Sequence, residues 1–159
     1  MSKGHCGHAH LVANDETLLL YSYCAYDINR ADWQEIKKKE DGEIAIDRDS
    51  LIEPEVHEKV KRLPSGKRTT VVKRIEREVP YEDLLQAKKI RIQNASGAWD
   101  YSETGIDEVA LKIVKKNFSE YQKTGNIPDS QLGLFNLCLL ILMMERPKNS
   151  AWKEVFCLH

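Results

Sequence analysis

The chain has 159 residues, of which 42% are hydrophobic and 31% charged, with a formal net charge of −1. This composition excludes an intrinsically disordered chain, and the length predicts a single domain over residues 1–159. The longest apolar run, Leu137 to Met144, is too short to cross a membrane. No secretory signal is visible, which predicts a cytoplasmic protein with reduced cysteines and no membrane partner.

The first third of the chain predicts a β-hairpin. Leu11–Ala13 and Thr17–Tyr26 have strand composition, and the Asn-Asp-Glu sequence between them suits a turn. In the second strand both alternating faces are mostly apolar, which predicts a central position in a sheet. Asp32 then either caps a short helix or lies in a loop, and Ile44 and Ile46 indicate another extended stretch.

The charge is unevenly distributed along the chain. Residues 1–58 carry 6 Lys/Arg against 13 Asp/Glu, a net of −7, and residues 59–91 carry 11 against 4, a net of +7. Such asymmetry is informative about partners rather than about fold, and it favours a polyanion or an acidic protein surface as partner. Alternatively, the two blocks neutralise each other inside the fold, or the basic block is an ordinary solvated face.

The start of the basic block predicts a β-ribbon. Residues 69–79 have strand composition, and Pro64–Lys67 suits a turn. In the first arm Val56, Val60 and Leu63 fit the spacing of a helix, but Val56 and Val60 also keep the parity of a strand. We favour the ribbon because the second arm is β-like.

A protruding basic ribbon of two strands can enter a nucleic-acid groove, and its cations can contact phosphates. Base stacking along the block is not expected, because Tyr81 is its one aromatic residue. The candidate contacts for nucleic acid or another acidic partner are Lys61, Arg62, Lys67, Arg68, Arg74 and Arg77. Among these, Lys67 and Arg68 at the turn are the first candidates.

The C-terminal half predicts helices. Ile106–Lys123 carries an apolar stripe, with Asp107 as N-cap and Gly125 as stop. After Pro128, the segment Ser130–Arg146 is apolar almost all round and predicts a fully buried helix.

Shorter elements complete the predicted order. Tyr81–Lys89 predicts a helix, residues 90–92 a strand, and Ser150–Leu158 a terminal helix. Strands come first and helices last. This order predicts an α+β fold, in which an antiparallel sheet made of the N-terminal hairpin and the basic β-ribbon is covered by C-terminal helices.

A cluster of histidine and cysteine near the start of the chain is a second candidate site. Imidazole and thiolate suit zinc, and on a strand Cys6, His8 and His10 would share one face. A second ligand pair at the spacing of structural zinc sites does not stand out, so a polar first strand or a flexible tail is the alternative. The candidate zinc ligands are His5, Cys6, His8 and His10.

Three functions are compatible with these features. No G-x-S-x-G, H-E-x-x-H or C-x-x-C motif is present. The first hypothesis is therefore a binding protein that uses residues 59–91 to engage nucleic acid or an acidic protein. One alternative is a metal-dependent enzyme built on the His/Cys cluster. The other is a protein–protein inhibitor or immunity-type binder that uses the acidic first third and the polar-aromatic set Tyr21, Tyr23, Tyr26, Asp27, Trp99, Asp100 and Tyr101.

Overall fold

A five-stranded antiparallel sheet and one long helix form the body of an α+β fold, as predicted. The structure is a computed structural model and describes residues 4–134. The strands are β1 His5–Asn14, β2 Leu18–Asp27, β3 Gly42–Asp47, β4 Glu55–Arg62, β5 Arg68–Ile75, β6 Ile90–Gln93 and β7 Ser130–Leu134. The helices are α1 Trp33–Lys37, α2 Tyr81–Gln86 and α3 Glu108–Thr124, and a 3-10 turn covers Arg48–Ser50.

The sheet order is β6-β3-β2-β1-β7, which places β2 at the centre as its two apolar faces predict. The predicted hairpin β1–β2 pairs His5 with Asp27 at its open end, and a β-bulge between Leu11 and Ala13 shifts the register near the turn. Strands β4 and β5 form a separate two-stranded ribbon. The ribbon is therefore not part of the main sheet.

Helix α3 covers one face of the sheet. Its N-cap is Asp107, whose side chain accepts a hydrogen bond from Val109 N at 2.9 Å, and it ends at Gly125 in the left-handed conformation with φ of 78°. Glycine adopts this φ without a Cβ clash, so the predicted start and stop are both confirmed. The buried residues between sheet and helix include Leu19, Tyr21, Tyr23, Ile44, Ile46, Val109, Ile113, Val114 and Phe118.

The opposite face of β2 carries a smaller cluster. Cys6, Cys24 and Tyr26 are buried together, and Trp33 and Ile36 of α1 pack against them. Because successive side chains of a strand point to opposite faces, this cluster and the α3 core are separated by the sheet. The segment after Asp32 is the short helix α1, but the Asp32 side chain does not cap it and instead pairs with Arg30 at 2.8 Å.

The prediction of a buried helix over Ser130–Arg146 is wrong for the first residues of that segment, 130–134. Residues 130–134 form the edge strand β7, which pairs with β1 through His8 opposite Leu132 and Cys6 opposite Leu134. A short apolar run fits a strand as well as a helix, and pairing with the edge of β1 makes this segment a strand. Residues 135–146 of that prediction and the terminal helix Ser150–Leu158 lie outside the described residues.

Across residues 4–134, the helices are all too short or too polar to span a membrane.

Candidate functional site

The β4–β5 ribbon projects from the body of the fold. All eight residues of each strand are exposed, and the main apolar core contains no residue from 55–75. The pairing runs from Glu55 opposite Ile75 to Arg62 opposite Arg68 at the turn. The predicted ribbon is confirmed, and the helical alternative for its first arm is wrong.

The base of the ribbon is fixed to α3 by side-chain contacts. The buried amide of Gln122 accepts from Arg77 N at 2.6 Å and donates to Arg77 O at 3.1 Å. Ser119 Oγ donates to Glu76 at 2.8 Å, and the hydroxyl of Tyr121 donates to Glu53 on the incoming side. One helix thus holds the chain on both sides of the ribbon's base, where it enters and where it leaves the ribbon.

The two faces of the ribbon differ in chemistry. Strand alternation and the register place Arg62, Arg68 and Arg74 on one face, which we call the arginine face. The same face carries three exposed valines, at positions 56, 60 and 72. The lysines at 59, 61 and 73 lie on the other face. The sequence analysis did not predict that the arginines and the exposed valines share one face.

The structure shows which part of the basic block is neutralised internally. Lys89 Nζ lies 2.8 Å from Asp49 Oδ2, and Arg91 Nη2 lies 2.9 Å from Asp47 Oδ1. By contrast, within residues 4–134 no Lys or Arg of β4, β5 or their turn forms an ion pair. Residues 55–75 carry 7 Lys/Arg against 2 Asp/Glu, a net of +5. Neutralisation by the acidic first third therefore applies to the end of the block and not to the ribbon.

The six predicted contact residues fall into two groups. Lys61, Arg62, Lys67 and Arg68 lie at the outer end of the ribbon. Arg74 and Arg77 lie at its base; a Cβ built on Gly125 would come within 2.8 Å of Arg74 Nη1, so this guanidinium sits against the C-terminal end of α3. A cation there interacts favourably with the helix dipole, which gives Arg74 a structural role as well.

The histidine cluster lies on the face of the sheet opposite α3. His8 Nε2 is 2.8 Å and His10 Nε2 is 3.5 Å from Glu40 Oε1, and one ligand atom of each of the three residues lies within 4.8 Å of the others. Cys24 Sγ lies 2.9 Å from His8 Nδ1 and 3.7 Å from His8 Nε2. The sequence reading missed Glu40, which is 32 residues from His8 and joins the cluster through the connection between α1 and β3.

The other two predicted ligands do not join this cluster. His5 points to the other face of β1, where its ring stacks on Trp99 with centroids 4.2 Å apart. Cys6 is disulfide-bonded, so the expectation of reduced cysteines is wrong for this residue. Cys24 is a free, buried thiol.

Cys24, His8 and Glu40 together resemble the order of a thiol nucleophile, its base and an orienting carboxylate. Burial argues against that chemistry here, because the Cys24 side chain is 1% exposed and desolvation raises the pKa of its thiol to about 12. A reactive cysteine needs a lowered pKa and access to substrate. Cys24 is therefore a hydrogen-bonding partner of His8 rather than a nucleophile.

The aromatic set considered for protein recognition is mostly internal. Tyr21, Tyr23 and Tyr26 are buried, and only Trp99 and Tyr101 among its aromatic members are exposed. Tyr21 donates to Pro128 O at 3.0 Å, and Tyr23 donates to Asp107 Oδ2 at 3.0 Å. Tyr21 and Tyr23 are core residues with a satisfied hydroxyl and Tyr26 is buried as well, so these three tyrosines do not form a recognition surface.

Comparison of the chain with protein-family models, with curated proteins and with solved structures found no match.

Proposed function

We propose that the protein binds nucleic acid through the β4–β5 ribbon. The observation that carries this proposal is the fully exposed ribbon of net charge +5, whose cations form no ion pair within residues 4–134. Phosphates supply the missing anions, and release of their counterions drives the association.

The shape of the ribbon supports a groove as its binding site. The major groove of B-DNA is about 12 Å wide and admits a two-stranded β-ribbon. Arg62 lies directly opposite Arg68 at the tip of the arginine face, an arrangement that is unfavourable between like charges unless an anion lies between them. A phosphate that contacts both guanidinium groups removes this repulsion. The contact residues of the proposal are Lys61, Arg62, Lys67 and Arg68.

A salt titration with a charge-reversal variant tests the proposal. The probes are a mixed-sequence DNA duplex and a single-stranded RNA, and the variant is Lys67→Glu/Arg68→Glu. We expect binding at low salt, weakened at least about tenfold in the variant, with the slope of log K against log salt concentration reduced by about 2. The matched control is Lys38→Glu/Lys39→Glu, which makes the same charge change at exposed lysines away from the ribbon.

Two outcomes would contradict the proposal: no binding at low salt, or an equal loss in both variants. Binding to neither nucleic acid, combined with recovery of an acidic protein that requires Lys67 and Arg68, would instead favour the alternative of an acidic protein partner. The exposed valines of the arginine face suit that alternative, because protein interfaces combine apolar contacts with arginine.

A further inference from the structure

We infer that His8, His10 and Glu40 form a binding site for a Zn²⁺ ion. This site is separate from the ribbon and goes beyond the proposed function, because β1 and the α1–β3 connection supply all three residues. Two imidazoles and one carboxylate are a ligand set that zinc uses in proteins with an additional, exchangeable ligand.

The distances from both imidazoles to the Glu40 carboxylate are close to those that a zinc site requires, and all three ligand atoms lie within 4.8 Å of one another. Zinc–ligand bonds of about 2.0–2.1 Å in a tetrahedron put neighbouring ligand atoms about 3.3 Å apart. The distance of 3.5 Å from His10 Nε2 to Glu40 Oε1 fits this value. The distance of 2.8 Å from His8 Nε2 to the same oxygen must lengthen by about 0.5 Å, which the partly exposed Glu40 side chain allows.

The surroundings prepare His8 and Glu40 for this role. Metal-binding histidines commonly donate their second ring N–H to a nearby acceptor, which fixes the tautomer. Cys24 Sγ lies 2.9 Å from His8 Nδ1 and 3.7 Å from His8 Nε2, so it packs against the ring and fixes its position. Without the metal, His8 Nε2 donates to Glu40 Oε1 at 2.8 Å, and zinc would take the place of this proton. Ser22 Oγ donates to the backbone carbonyl of Glu40 at 2.9 Å and ties this residue to β2.

The site opens onto solvent. His8 and Glu40 line a cleft together with Trp33, Gln34, Lys37 and Lys38. Three protein ligands leave the fourth tetrahedral position for a water molecule on this side. Two neutral imidazoles and one carboxylate carry a charge of −1, so the bound divalent ion would leave a net charge of +1, which favours an anionic ligand at the open position.

Calorimetric titration of chelator-treated, tag-free protein with zinc chloride tests the inference. We expect one zinc per chain, with affinity reduced at least about tenfold in each of His10→Ala and Glu40→Gln. Both side chains are substantially exposed, so these variants keep the fold, which circular dichroism verifies. The control is His57→Ala, which removes an exposed histidine paired with Glu55 on the ribbon and leaves the affinity unchanged.

The absence of saturable binding would overturn the inference, as would full affinity in His10→Ala and Glu40→Gln or an equal loss in His57→Ala. Cobalt substitution identifies the ligands independently. We expect visible bands of tetrahedral Co²⁺ without a thiolate charge-transfer band. A thiolate band that disappears in Cys24→Ala would show that Cys24 is itself a ligand and would overturn the assignment of three ligands.

Discussion

At the residue scale, Tyr23 connects the central strand to the start of α3. Its hydroxyl donates to Asp107 Oδ2 and accepts from Ala95 N, both at 3.0 Å. Asp107 is also the N-cap that accepts from Val109 N. Burial raises the pKa of Tyr23, so its hydroxyl stays protonated and remains a donor, and burial also raises the pKa of Asp107.

Replacing this tyrosine tests the value of the connection. Tyr23→Phe leaves Ala95 N and Asp107 Oδ2 buried without their partner, so we expect the free energy of unfolding to fall by about 1–3 kcal/mol. Tyr101→Phe is the matched control, because the Tyr101 hydroxyl donates to Ala98 O at the surface, and we expect a change below about 0.5 kcal/mol. Urea denaturation measures both. Equal effects would show that the buried hydroxyl contributes no more than the exposed one.

At the element scale, the ribbon depends on its attachment to α3. We expect Gln122→Ala to expose both hydrogen-bonding groups of Arg77 and to speed amide exchange at Arg77 and along β5, because its buried amide satisfies them. The control Lys123→Ala removes only a surface ion pair with Glu76, 3.4 Å long, and leaves exchange unchanged. Hydrogen–deuterium exchange with mass spectrometry makes the comparison. Wild-type protection in Gln122→Ala would mean that the ribbon is held by other contacts.

The elements also show which parts of the fold the sequence could predict. The caps of α3 are local signals, so Asp107 and Gly125 were sufficient to place both ends of that helix. The ribbon was predictable from β-branched composition around a turn. Strand β7 was not, because its partner β1 lies more than a hundred residues earlier and the apolar run does not distinguish helix from strand.

In the histidine cluster, too, the residues close together in the sequence were predictable and the distant ones were not. The H-x-H spacing placed His8 and His10 on one face of a strand, and the structure shows both beside Glu40. Glu40 itself was not predictable, because the sequence does not tell how the segment after α1 returns toward β1. Alternation along β2 predicts which residues of that strand share a face with Cys24. The position of Cys24 opposite His8, however, follows from the register of the hairpin.

At the scale of the whole molecule, the ribbon and the zinc ligands occupy separate parts of the fold. Glu55 and Ile75 are direct partners, so their Cα atoms are about 5 Å apart and a short Gly-Ser linker can replace residues 55–75. We expect this deletion to keep cooperative unfolding, because the main core contains no residue from that range. It should abolish binding to nucleic acid and retain one zinc per chain. Thermal unfolding and the two titrations measure these outcomes, and loss of cooperative unfolding would contradict the separation.

The position of β1 between β2 and β7 has a consequence for the chain during its synthesis. The hairpin partner β2 follows at once, but Ser130 comes 103 residues after Asp27, the last residue of β2. At about 5–20 residues per second, translation of that stretch takes roughly 5–20 s. Throughout this interval the outer edge of β1 has no strand from its own chain to pair with, and an open edge recruits other strands. A nascent or truncated chain that stops before Ser130 is therefore the form of this protein that most needs a chaperone.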